Sequence, residues 1–125
     1  MSTKVMIVDD SGMSRRTLRR ILEAGGYEVV EAEEGMAALE MYFLEKPGVV
    51  LLDLVMRGMY GLDVLAKLRE MDAGARVIIA SADIQSSTRA MAEEAGASAV
   101  INKPFTAGQV LDAVRGALGA EGGTQ

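Results

Sequence analysis

The run Val49-Val50-Leu51-Leu52-Asp53 constrains the chain more than any other stretch. Four consecutive aliphatic residues with strong β preference lie between Pro47-Gly48 and a Met56-Arg57-Gly58 turn, and they read as a strand buried on both faces. Such a strand belongs in a parallel sheet with helices packed on each side. Asp53 then stands at the rim of the sheet, and the question is what a carboxylate does there.

The rest of the chain repeats this plan. Val5-Met6-Ile7-Val8 is a second apolar strand and ends in Asp9-Asp10-Ser11. An amphipathic stretch follows, with Met13, Leu18, Ile21 and Leu22 apolar, Arg15, Arg16, Arg19 and Arg20 toward water, and Gly25-Gly26 closing it. Glu28 to Ala32 reads as a weaker strand, and Met36, Ala37, Leu39, Glu40, Tyr42 and Phe43 as a helix that stops by Pro47. Past Asp53, a helix is expected from about Gly61 to Met71 with Leu62, Leu65 and Leu68 inward. Val77-Ile78-Ile79-Ala80 is a fourth strand, ending in Ser81-Ala82-Asp83, before a helix capped by Ser86 or Ser87 that stops at Gly96. Ala99-Val100-Ile101-Asn102 is the fifth strand and delivers Lys103-Pro104-Phe105; the last helix carries Val110, Leu111, Val114, Ala117 and Leu118 on one face.

Five strands alternating with five helices imply an α/β fold, a doubly wound five-stranded parallel sheet with right-handed crossovers. A chain of 125 residues suits one core. Residues 1–120 are assigned to the domain and 121–125 to a frayed tail.

Composition excludes several chemistries. With no cysteine and no histidine, the chain has no disulfide, no Cys/His zinc site and no Ser-His or Cys-His catalytic arrangement. A net charge of -5 argues against direct nucleic-acid binding, which needs a basic face. No apolar run approaches the roughly 18 to 20 residues of a membrane span, so no membrane insertion is expected. The N-terminus enters its first strand without a signal-peptide pattern, which predicts a cytoplasmic location.

All strands of a parallel sheet end on one edge, and ligands of such folds bind there. The residues just past the strands are Asp9 and Asp10, Asp53, Ser81 and Lys103. Two carboxylates about 4 Å apart repel by about 4 kcal/mol at an effective dielectric of about 20, so three together call for a cation. Mg²⁺ fits, because it takes oxygen ligands and commonly binds through one or two carboxylates plus a phosphate; Mn²⁺ is the alternative. Lys103 supplies a point charge for the remaining anion, and the Ser81 hydroxyl a hydrogen bond. A carboxylate so surrounded is equipped to attack phosphorus and hold the resulting aspartyl phosphate without a general base. Taken singly, Asp9 and Asp10 could be helix-capping acids, Asp53 and Ser81 turn residues, and Lys103 a solvated amine. Their conjunction at the ends of four strands favours the site.

These residues resemble the receiver domain of bacterial response regulators, specifically the stand-alone, chemotaxis (CheY-like) type. The motifs are Asp9-Asp10, Asp53, Ser81-Ala82 and Lys103-Pro104-Phe105, and the likeness spans essentially the whole chain. The resemblance implies a flavodoxin-like (βα)5 fold with strand order 2-1-3-4-5. It implies that Asp53 accepts a phosphoryl group from a sensor histidine kinase, a histidine phosphotransfer protein or a small donor such as acetyl phosphate. The ion would then be held by Asp10, Asp53 and the Val55 backbone carbonyl, with Asp9 acting through water. Lys103, Ser81 and the backbone N–H groups of Ala82 and Val55 would take the phosphoryl oxygens, and the Lys103-Pro104 peptide would be cis.

Two positions depart from the family pattern: Arg57 stands where proline often follows Met56, and Val100 where an aromatic switch residue usually sits. Switching is therefore expected through backbone and loop movement. Val55 and Asp83, each two residues past a site residue, are expected to tune phosphoryl lifetime, with Val55 favouring slow decay. The reading is a signalling switch that catalyses its own phosphorylation and dephosphorylation but is not a turnover enzyme. It would dock a downstream target through the face of helix 4, strand 5 and helix 5. A phosphorelay intermediate or phosphate sink is the alternative. A phosphatase using an Asp nucleophile fits less well, since Val55 stands where that chemistry usually needs an acid/base Asp and the chain has no length to spare for a substrate cap.

Overall fold

The computed structural model describes residues 3–82 and 84–122. In chain order its elements are β1 (Lys4–Val8), α1 (Gly12–Ala24), β2 (Glu28–Ala32), α2 (Gly35–Glu45), β3 (Val49–Leu52), α3 (Gly61–Met71), β4 (Val77–Ser81), α4 (Ser86–Glu94), β5 (Ala99–Asn102) and α5 (Ala107–Gly122). All strand pairs are parallel, in the order β2-β1-β3-β4-β5. The predicted fold class and strand order both hold. Helix α5 runs to Gly122, so the segment read as a tail contributes two residues to it, and residues 123–125 lie outside the described part.

The two-residue period of a strand divides the aliphatic runs between two cores. Val50 and Leu52 of β3 pack with Met6, Val8, Val77 and Ile79 beneath α2 and α3, against Ala38, Val64, Leu65 and Leu68. Val49 and Leu51 point the other way, with Val5, Ile7, Ile78 and Ala80, onto Leu18 and Leu22 of α1 and Val110 and Val114 of α5. Every residue of β3 is buried, so the sheet's centre is fixed by burial on both faces and Asp53 is held at its end. The outer strands β2 and β5 are only partly buried, as edges are.

Helix faces follow the sequence less closely than the strands do. Met13, read as apolar and inward, is 71% exposed, because α1 meets the sheet through Leu18 and Leu22 further along the helix. Arg15, read as facing water, is largely covered: its Nε donates to Glu31 Oε1 at 2.9 Å and its Nη1 to the Asp9 carbonyl at 2.7 Å. Phe43 of α2 is exposed while Tyr42 is buried. In α3, Leu62 is only half-buried and Val64 takes its place in the core. Helix α4 begins at Ser86, with extended Gln85 as its N-cap and no side-chain capping bond, so neither serine caps it.

Tyr42 joins α2 to the end of α3 by donating its hydroxyl to Asp72 Oδ2 at 2.8 Å. Burial first, then the bond to the carboxylate, pushes the phenol from 10.0 to about 12. The same bond, with the Gly74 N–H, holds the Asp72 carboxyl below its ordinary value. The native state thus keeps the phenolic proton more tightly than the unfolded chain does. That stabilisation is complete below pH 10, the unperturbed value, and disappears as pH rises through about 12. The Asp72 contribution has the opposite sense: it is present above the ordinary carboxylate range and is lost as pH falls through the depressed value. An absorbance titration of phenolate is expected to show a step near pH 12 that Tyr42→Phe removes; persistence of the step in the variant would assign it to another tyrosine.

Candidate functional site

The carboxyl ends of β1, β3, β4 and β5 bring five of the predicted residues into one pocket. Asp9 and Asp10 follow β1, Asp53 follows β3, Ser81 closes β4 and Lys103 follows β5. Asp9 is 2% exposed, Asp53 7% and Ser81 2%, which is unusual burial for two acids. The backbone accounts for their positions: Asp9 N–H bonds to the Ala32 carbonyl of β2, and Asp53 N–H to the Val8 carbonyl of β1, so the ladder continues one residue past each strand.

Lys103 is the internal counter-charge. Its Nζ lies 2.8 Å from Asp9 Oδ2 and 3.2 Å from Asp53 Oδ2, and it donates to Ser14 Oγ at 3.3 Å. Burial pushes the amine down, but the hydrogen bond to Asp9 and the charges of Asp9 and Asp53 outweigh it and leave the pKa raised. Lys103 is therefore cationic throughout the physiological range. Ser81 Oγ donates to Asp53 Oδ1, and the Val55 N–H reaches the same oxygen at 3.3 Å. Both oxygens of Asp53 are thus held by donors that could serve a group attached to it. The Lys103-Pro104 peptide is cis.

Asp10 sits nearer the mouth and takes no bond from Lys103. Its Oδ2 accepts from the Arg57 N–H at 3.1 Å. Asp9, Asp10 and Asp53 each offer an oxygen within 4.8 Å of the others. A set of hard carboxylate oxygens at this spacing, with one lysine among three acids, matches the donor preference of a small divalent cation.

Of the remaining predicted residues, Val55 lies on the β3–α3 loop with its side chain exposed, and Ala82 is exposed immediately past Ser81. Val100 is buried in the core shared with α3, and Asp83 lies outside the described residues. Sequence reading missed Ser14, which reaches the pocket from the first turn of α1, although its spacing of three from the N-cap Ser11 is a usable signal. It also missed the Arg15 bond to the Asp9 carbonyl and the contact of Arg57 with Asp10, for which the sequence carries no signal.

A family model described as the response regulator receiver domain matches residues 5–115. Over 119 residues the chain is 40% identical to the chemotaxis protein CheY of Bacillus subtilis (strain 168), covering 94% of this chain and 99% of that one. Sporulation initiation phosphotransferase F of the same strain is 34% identical over 115 residues, covering 92% and 93%. Among solved structures, a CheY-like response regulator receiver domain protein from Methanospirillum hungatei JF-1 superposes with a TM-score of 0.93 over 98% of both chains, at 25% identity. A chain of the CheX-CheY-BeF3-Mg²⁺ complex from Borrelia burgdorferi superposes with a TM-score of 0.87 at 31% identity, covering 90% of this chain and 86% of that one.

Proposed function

This chain belongs to the response regulator receiver domain family, and from that premise we propose that it is a two-component signalling switch phosphorylated on Asp53. The observation that carries the reading is the buried Asp53 carboxylate, held between Lys103 and Ser81 with two further acids beside it. A carboxylate oxygen attacks phosphorus in line, an O–P bond forms, and the bond to the donor breaks: P–N for a phosphohistidine, P–O for acetyl phosphate.

The chain's own groups are poised for the product. Lys103, fixed by Asp9, directs its charge at Asp53 and can move its second bond to a phosphoryl oxygen. The Ser81 hydroxyl and the Val55 N–H, now on Asp53 Oδ1, can do the same, and the exposed backbone of Ala82 completes the set. Asp10, Asp53 and the Val55 carbonyl would hold Mg²⁺ or Mn²⁺, with Asp9 acting through water. Such an ion would supply positive charge to offset that of the carboxylates and the transferring group. The structural relative solved with BeF3 and Mg²⁺ supports Mg²⁺ as the ion. The molecule modifies itself and is not a turnover enzyme.

The donor is a sensor histidine kinase or a histidine phosphotransfer protein, and the output is docking of a target protein on the α4–β5–α5 face. Likeness to chemotaxis CheY proteins favours a chemotaxis output. Arg89 of α4 donates to the Val100 carbonyl at 3.3 Å and to Asn102 Oδ1 at 3.2 Å. Movement at Ser81 can thus reach α4 through the β5 backbone, with no aromatic ring at position 100. Likeness to a sporulation phosphotransferase supports the second reading, a phosphorelay intermediate.

Incubation with acetyl phosphate and Mg²⁺ is expected to add one phosphoryl group by intact mass, and excess chelator to prevent it. No gain under either condition would overturn the reading. Phosphorylation-dependent capture of a target separates switch from relay, whereas return of the phosphoryl group to a histidine protein without such capture favours the relay. Because the exposed Val55 side chain cannot orient a water, the phosphoryl group decays slowly. Val55→Asn is expected to speed decay up to about tenfold, the effect of about 1.4 kcal/mol at the barrier. An unchanged decay rate would remove Val55 from the account.

A further inference from the structure

The three carboxylates divide their counter-charges unevenly. Lys103 serves Asp9 and Asp53 from the interior and makes no bond to Asp10. Asp10 instead has Arg57, whose backbone N–H lies 3.1 Å from Oδ2 and whose guanidinium Nε lies 3.8 Å from the same oxygen. The Arg57 side chain is 85% exposed and that of Asp10 26%. The guanidinium therefore approaches the cluster from solvent, on the Oδ2 side of Asp10. Arg57 also lines a cavity of about 240 Å³ with Glu33, Glu34 and Gly58, so acids surround it on two sides.

The geometry points to Arg57 as a resident counter-ion that a divalent cation must displace from Asp10, so that this side chain sets the cation concentration the switch requires. The inference rests on the reading of Asp9, Asp10 and Asp53 as the cation site. Two effects act in the same direction. In the ion-free protein the guanidinium stabilises the ionised cluster, and that stabilisation is lost when Asp10 turns to the ion. In the loaded protein a second positive charge at this distance repels the ion. Both weaken binding, and both are screened by salt because Arg57 is exposed.

The backbone and side-chain parts are separable. The Arg57 N–H bond to Asp10 survives substitution by any residue except proline, whereas the charge does not. A charge series at position 57 therefore isolates the guanidinium. Titration of Mg²⁺ into the intact, unphosphorylated protein by calorimetry, at low ionic strength, is the direct measurement. Arg57→Lys is expected to retain the wild-type Kd. Arg57→Gln is expected to bind about two- to fivefold more tightly, the range for an exposed pair, and Arg57→Glu more tightly again. The wild-type and Gln values should converge as salt is raised toward about 1 M, where the screening length is about 3 Å.

Two controls keep this inference distinct from the reading beneath it. If the wild type binds no Mg²⁺, or Asp10→Asn leaves its Kd unchanged, the cation site itself is misassigned. If the wild type binds and Asp10→Asn weakens binding, yet Lys, Gln and Glu at position 57 give one Kd, the site stands and the role of Arg57 is overturned. A change that ignores charge order, or that persists undiminished at high salt, would mark a loop effect and also overturn it.

Discussion

Asp53→Asn is expected to abolish phosphoryl transfer from acetyl phosphate while leaving the protein folded. The amide has nearly the shape of the carboxylate, so the contacts from Ser81 and the Val55 N–H to the Oδ1 position can persist. What disappears is the nucleophile, and with it the covalent step. The variant also removes one of the two acids that share Lys103, in a cluster of three. In the ion-free protein this relieves repulsion at the cost of one buried charge contact, and the melting temperature is expected to equal or exceed that of the wild type. Intact mass before and after acetyl phosphate, with a melting curve on the same sample, reads both. A phosphoryl group on the folded variant would place the acceptor elsewhere, with Asp9 and Asp10 the nearest alternatives. A variant that melts far below the wild type would instead show that the Lys103 contact outweighs the relief of repulsion.

The pocket was legible in the sequence because of how a parallel sheet is written. Each central strand is a short aliphatic run buried on both faces that cannot be shifted by a residue without driving a polar neighbour into the core, so the polar residue ending it is located by burial alone. Asp9, Asp53, Ser81 and Lys103 then converge by topology, without any sequence proximity. Helix faces were harder. Arg15 and Met13 exchange the environments their polarity suggests because Arg15 meets Glu31 on the neighbouring strand, a tertiary contact that no helical period encodes. Arg57 was invisible as a functional residue for the same reason: its partner Asp10 lies 47 residues away. Arg89 likewise acquires meaning only when α4 is laid beside β5.

Gly61→Ala is expected to damage stability and phosphorylation together, from a position that carries no functional group. Gly61 opens α3, and its N–H bonds to the Leu54 carbonyl at 2.9 Å, which seats the helix start directly against the residue following Asp53. A Cβ there would lie 2.5 Å from the Asp53 carbonyl oxygen and 2.5 Å from Leu54 Cα. Both are backbone atoms, so no rotamer change relieves the overlap, and either α3 or the end of β3 must move. Insertion of atoms into a packed core commonly costs about 1–3 kcal/mol, and this collision falls at the rigid end of that range. The shift also displaces Asp53 relative to Lys103 and Ser81, and a misplacement of about 1 Å at a reacting group can cost about a hundredfold in rate. Gly116→Ala on α5 is the control: its Cβ meets nothing within 4 Å, and alanine in an exposed helix interior is expected to stabilise by up to about 1 kcal/mol. Urea midpoints should therefore move in opposite directions while the acetyl phosphate rate falls for Gly61→Ala alone: lower stability and slower transfer for Gly61→Ala, higher stability and wild-type transfer for Gly116→Ala. Wild-type stability and rate in Gly61→Ala would show that the β3–α3 junction yields, and that Asp53 is positioned by the sheet ladder alone.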